Sequence, residues 1–272
     1  MFISTMTYEE IYRAISNEMP DVFAHYDKVE KLKVDRALKK ATLFPKRISI
    51  EWTHPKSHNT YSYYIQSNRR SQWNNPFMRV CCEYEGKDGK ELLIVVPNPP
   101  KRELLLQVFR SHFYERYGER FLNGETDYRS IVAQYMIRNT KAASMGPECV
   151  SIKEQQEDVP GFSKESMLTI DGLGLGLRSQ DENIVIYRTF VCFDQLFDKQ
   201  YKKIWPIYLY FVAKLAIEDS PRYAVLINGI YEEGAAKIHQ LAADKDLTEA
   251  DKNQQIFEEY ERTYQQLVRY IV

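Results

Sequence analysis

His112, Arg116 and Arg120 recur every four residues in the run Ser111-His112-Phe113-Tyr114-Glu115-Arg116-Tyr117-Gly118-Glu119-Arg120-Phe121-Leu122. On a helix that spacing sets one imidazole and two guanidiniums along a single, slowly drifting face. Imidazole exchanges a proton near neutral pH. Guanidinium grips phosphate oxygens as a two-pronged donor. The row therefore has the makings of a phosphate site. Glu115 and Glu119 lie among the cations and can pair with them, so a solvated, self-neutralised face fits the same residues. Phe113, Tyr117 and Phe121 form the neighbouring stripe and are expected to face the core, with Ser111 as N-cap. Further along, Tyr187-Arg188-Thr189 lies in a strand pattern. Arg188 is expected to lie near His112, Arg116 and Arg120 in space.

A second group is His54-Pro55-Lys56-Ser57-His58. Two histidines four apart suit zinc on a helix, but proline and turn residues point to a loop, and no third ligand is evident. Whether His54 and His58 bind a metal stays open. The chain has no H-E-x-x-H, G-x-S-x-G or P-loop, which argues against the commonest hydrolases and NTPases. Its four cysteines include no C-x-x-C pair and read as reduced structural thiols.

The elements around these residues follow from periodicity. A capping box at Thr7-x-x-Glu10 opens a helix to about Glu18, and Pro20-Asp21 starts a second with Val22, Tyr26, Val29 and Leu32 on its stripe. From Lys46 the period becomes two, giving a meander of about four strands through Val96, with a turn at Gly86-Lys87-Asp88-Gly89. Leu104 to Phe109 leads into the His112 helix, and Asp127 caps a helix from Tyr128 to about Ala142. Ser144 to Lys164 reads as a long mobile loop. Strands are expected at Met167 to Arg178 and Asn183 to Cys192, the first with glycine at positions 172, 174 and 176, which implies close packing on one face. Asp198 to Ile217 is a helix containing Pro206. An αα-hairpin closes the chain, with Tyr223, Ile227, Ile230, Ile238 and Leu241 on one stripe and Ile256, Tyr260, Tyr264, Leu267 and Ile271 on the other.

These elements make an α+β fold: a mainly antiparallel sheet of six or seven strands flanked by helices from the N- and C-terminal ends. The organisation is one domain, with N-terminal helices over 1–45, a sheet-containing core over 46–200 and C-terminal helices over 201–272. The 272 residues carry a net charge of −1, so RNA would meet only local positive charge. Asp219 to Val272 holds ten acidic and six basic side chains. No apolar run reaches membrane-span length and the first residues lack a signal-peptide pattern, so the expected location is the cytoplasm.

A helix bearing H-x3-R-x3-R followed by a hairpin ending in Arg188-Thr189 resembles the barnase-, colicin- and RelE-like toxin ribonucleases over Leu104 to Cys192. The whole chain is also similar to uncharacterised bacterial proteins that share an HF-x-x-RY-x-ERF element. The first resemblance implies attack of a ribose 2′-hydroxyl on the adjacent phosphate. His112 would move the proton, Arg116, Arg120 and Arg188 would hold the phosphate, Thr189 would orient a phosphate oxygen or the hydroxyl, Tyr187 would stack on a base, and no metal or cofactor would be required. The expectation is thus a metal-independent ribonuclease with RNA as partner. The alternative is a non-catalytic interaction or regulatory protein that engages a protein partner, or itself, through the C-terminal helices.

Overall fold

The alternating stretches form a nine-stranded sheet, ordered β1-β2-β3-β4-β5-β9-β8-β7-β6. The structure is a computed structural model and describes residues 1–87, 89–98, 103–139, 141–145, 160–181, 183–192, 195 and 198–271. The strands are β1 (Lys46–Thr53), β2 (Thr60–Ser67), β3 (Phe77–Gly86), β4 (Gly89–Asn98), β5 (Glu103–Phe109), β6 (Ala143–Ser144), β7 (Phe162–Leu168), β8 (Leu173–Ser179) and β9 (Ile184–Val191). All neighbours are antiparallel except β5 and β9, which pair in parallel. The fold is α+β, with helices from both chain ends on the sheet.

Nine strands replace the six or seven expected from the pattern. Leu104 to Phe109 is a strand in its own right, and the two-residue β6 adds another. The single strand expected over Met167 to Arg178 folds back at Asp171-Gly172 into the β7–β8 hairpin. Gly172 has φ +155°, and a Cβ there would stand 2.4 Å from the Val191 carbonyl oxygen. Only glycine takes that conformation in that space, so one residue divides what hydropathy reads as a continuous strand.

Central strands are apolar on both faces, as burial from two sides requires. In β4, Leu93 and Val95 join the core under the N-terminal helices, while Leu92 and Ile94 join the opposite core. In β9, Ile184 and Ile186 alternate in the same way with Val185 and Tyr187. One core is covered by helix α1 (Tyr8–His25), a π segment (Tyr26–Glu30) and α2 (Lys31–Lys40). Thr7 and Glu10 make the expected capping box. Pro20 does not start a new helix: α1 runs through it, because Ile15, Met19 and Val22 keep one buried stripe across the missing backbone donor. The π segment then inserts a residue and rotates the stripe. Val29 and Leu32, expected in the core, are 44% and 60% exposed, and Val34 and Leu38 are buried in their place.

The opposite core lies under α3 (Ser111–Phe121) and α4 (Tyr128–Arg138). The N-cap of α3 is Arg110 rather than Ser111, and no side chain caps that end. Asp127 caps α4 by accepting from the Ser130 N–H, and the helix stops at Arg138, short of the expected Ala142. A third core joins the β7–β8 hairpin to α5 (Asp198–Asp219), α6 (Ala224–Ala243) and α7 (Glu249–Leu267). Pro206 lies inside α5 without dividing it. Tyr223, expected on the buried face, is exposed because Pro221–Tyr223 is a 3-10 turn preceding α6. Gly234 lets α6 and α7 close together, since a Cβ there would meet Thr263 Oγ1 at 2.3 Å. Most of the expected Ser144 to Lys164 loop lies outside the described residues, and its ends belong to β6 and β7.

Candidate functional site

Helix α3 is anchored by aromatic rings. Phe113 packs edge-on against Phe190, with centroids 5.5 Å apart, and Tyr117 does so at 5.1 Å. That fixes the helix on β9 and turns His112, Glu115 and Glu119 outward. His112 Nε2 lies 3.4 Å from Arg116 Nε, and Nδ1 lies 3.5 Å from Glu115 Oε2. A guanidinium N–H can only donate, so Nε2 accepts and Nδ1 carries the proton toward the carboxylate. Both contacts are at the long limit of hydrogen bonding. Arg116 Nη1 is 2.8 Å from Glu119 Oε2. Arg120 turns away from the other two and donates through Nη1 to the Phe190 carbonyl.

Gly176 pairs with Tyr187 and Leu175 with Thr189, so Arg188 is the extra residue of a bulge. Among the described residues, no hydrogen bond or ion pair joins Arg188 or Thr189 to His112, Arg116 or Arg120. Tyr187 is not available to stack on a base: it is 2% exposed, packed on Phe109, and burial raises its phenol far above the ordinary range. The other sequence candidate is also engaged. His54 is buried, its Nδ1 accepts from the Ser57 N–H, and its Nε2 faces Asp21 Oδ2 at 3.3 Å. Among the described residues, no three His, Cys, Asp or Glu side chains are grouped to hold a metal. Burial pushes the Cys81 thiol up to about 12, which keeps it protonated and unreactive.

Two features escaped the sequence reading. One is Asp171, whose carboxylate is fully buried in the β7–β8 turn. It accepts from Tyr117 Oη at 2.7 Å, Arg138 Nη2 at 2.8 Å, Arg138 Nε at 3.0 Å and Asn139 Nδ2 at 3.0 Å. Those bonds to Asp171 raise the Arg138 pKa, and burial followed by the Asp171 charge raises that of Tyr117. On the adjoining Ile170 carbonyl, the Tyr208 and Tyr264 hydroxyls from α5 and α7 both donate. This turn joins α3, α4 and the C-terminal helices. The sequence signal was an Asp-Gly pair inside an apolar run.

The other feature is a cleft of about 250 Å³ between α4 and strands β1 to β3. Tyr64 lies on its floor, Met136 and Ile137 on its helical wall, and Arg47 and Arg79 at opposite corners. Ser49, Tyr64 and Arg79 form one cross-strand row, and Arg47, Gln66 and Phe77 the next. The two arginines are thus diagonal across β2, with backbones about 12 Å apart by two strand spacings and a two-residue offset. Arg47 Nε donates to Gln66 Oε1 at 3.0 Å, and among the described residues its two terminal nitrogens have no hydrogen-bond partner. Arg79 lies against Met136 Sδ at 3.7 Å and over the Phe77 ring at 5.2 Å. Burial lowers its pKa. Among the described residues no carboxylate lines the cleft, and Glu83 and Glu51 lie near enough to Tyr64 to add to burial in raising its phenol. A second opening of about 530 Å³ shares Arg47 and Ile137 with the first and reaches Arg138 and Tyr264. Among the described residues, no helix is long and apolar enough to cross a membrane. No protein family, curated protein or solved structure gives a match to this chain.

Proposed function

We propose that this protein is a non-catalytic binding protein that works through the cleft between α4 and strands β1 to β3. The observation that supports this reading is the contrast between two groups of arginines. On α3, Arg116 is matched by Glu119 and Arg120 by a backbone carbonyl. In the cleft, Arg47 borders the α4 wall with its two terminal nitrogens open, and among the described residues no carboxylate lines the opening. A few directional polar groups in an apolar concavity are the usual makings of a ligand site.

A metal-independent ribonuclease on α3 is the second reading, favoured by the outward-facing His112 ring held between Glu115 and Arg116. To hold a phosphate there, Arg116 must leave Glu119 and Arg120 must leave the Phe190 carbonyl. Total RNA incubated with the wild type and His112→Ala in EDTA separates the two readings. Identical traces from both proteins are expected. Cleavage that survives chelation and vanishes in the variant would replace the binding reading with the catalytic one.

A further inference from the structure

We infer that the cleft between α4 and β1 to β3 takes a small molecule with a flat apolar body and one carboxylate, and that Arg47 clamps the carboxylate. This rests on the binding reading above and names the ligand class it leaves open. The volume comes first. About 250 Å³ lies just under the usual range of small-molecule pockets, roughly 300 to 1,000 Å³. That suits a small ligand of around ten non-hydrogen atoms.

The lining then sets the chemistry. Ala133, Met136 and Ile137 of α4 contribute aliphatic surface, and Tyr64 and Phe77 contribute rings; Ile48 and Ile65 turn their side chains to the opposite core. The α4 side and the two rings favour a planar apolar body, while the polar side chains Arg47, Ser49, Gln66 and Arg79 all belong to the strand side. Among the described lining residues the charged groups are Arg47 and Arg79, with the carboxylates of Glu83 and Glu51 close enough to the Tyr64 ring to add to burial in raising its phenol. Arg47 is oriented by its Nε bond to Gln66, and its open pair of terminal nitrogens matches the two oxygens of a carboxylate.

Phenylacetate and phenylethanol differ mainly in the charge and serve as the probe pair. Each is titrated into the full chain while the methyl resonances of Ala133 and Met136 are followed by NMR. Phenylacetate should bind about tenfold more tightly, the worth of a charge-assisted hydrogen bond. Arg47→Gln, an exposed position that folds without difficulty, should bring the two probes to near parity. Ala133→Trp, which fills the cleft from a partly exposed helical site, should abolish binding of both while leaving the melting temperature unchanged. Equal affinity for acid and alcohol, both lost in Ala133→Trp, would overturn the carboxylate inference and keep the binding reading. No resonance shift with either probe, or shifts that persist in Ala133→Trp, would overturn both. Tighter binding of a short oligouridine, displaced by filling the cleft, would overturn the inference in favour of a nucleic-acid site.

Discussion

Replacing Asp171 by Asn keeps the shape of the side chain and removes its charge, and it should be among the most destabilising conservative changes in this protein. The carboxylate accepts from Tyr117, from two nitrogens of Arg138 and from Asn139. An amide can meet only part of that set, because its NH2 group must point at another donor. Removing one partner of a buried ion pair costs about 3 to 5 kcal/mol. The Arg138 side chain is 47% exposed and rehydrates in part, which places the expected loss near the lower end, about 3 kcal/mol. With an unfolding entropy of about 2.1 cal/mol/K per residue, a chain of 272 residues should melt roughly 5 °C lower.

Calorimetry together with urea unfolding tests this prediction. The double variant Asp171→Asn/Arg138→Gln should be less destabilised than the sum of the single variants, by about 1 to 3 kcal/mol, since the two residues share one interaction. A single-variant loss under about 0.5 kcal/mol, or strict additivity, would refute the view that this turn ties α3, α4 and the C-terminal helices together.

Three further outcomes follow from the same geometry. Gly172→Ala, at φ +155° with its Cβ 2.4 Å from the Val191 carbonyl oxygen, should lose more than about 2 kcal/mol by urea unfolding, whereas Gly229→Ala in α6, with open space around it, should gain about 0.5 to 1 kcal/mol. Burial raises the phenols of Tyr61, Tyr114, Tyr135 and Tyr208 above the ordinary value of about 10. A raised phenol keeps its proton longer in the folded state, so its contribution is intact below pH about 10 and is lost as pH climbs beyond it. Tyrosinate absorbance should therefore appear for only part of the 20 tyrosines before a cooperative alkaline unfolding, and a smooth titration of all of them near the ordinary value would contradict their burial. His112→Ala, on an exposed helical face, should shift stability by less than about 0.5 kcal/mol, and a larger change in urea unfolding would show that the ring holds structure.

Periodicity located nearly every helix and the meander, because those elements rest on a single face whose apolar residues recur at a fixed interval. What it mislocated depends on one-residue events. The π segment at Tyr26–Glu30 leaves no mark in the apolar count, yet it moves the buried stripe from Val29 and Leu32 to Val34 and Leu38. Gly172 reads as one of three alternating glycines, although its positive φ makes it the turn between β7 and β8. The His112 row was legible as a row, since helix spacing fixes where side chains begin. Where each cation ends is set by other elements: Arg120 reaches the Phe190 carbonyl on β9, which no local pattern encodes. The cleft was invisible for the same reason, because it joins one corner of β1, one of β3 and a turn of α4.

Arginines near these openings divide into two kinds by what their removal should do. Arg138 serves a buried carboxylate, so Arg138→Gln strands the Asp171 charge and should cost several kcal/mol, with any loss of binding explained by loss of fold. Arg47 donates to one amide oxygen on an exposed strand edge. Arg47→Gln forfeits a single solvent-accessible hydrogen bond, worth about 0.5 to 1.5 kcal/mol at most. If Arg47 matters only to the fold, its loss should appear in urea unfolding and leave the affinities of acid and alcohol probes in their original ratio. If it clamps a ligand, the ratio should fall about tenfold while the unfolding midpoint barely moves. Measuring both quantities on the same two variants separates an arginine that holds the structure together from one that the structure holds out for something else.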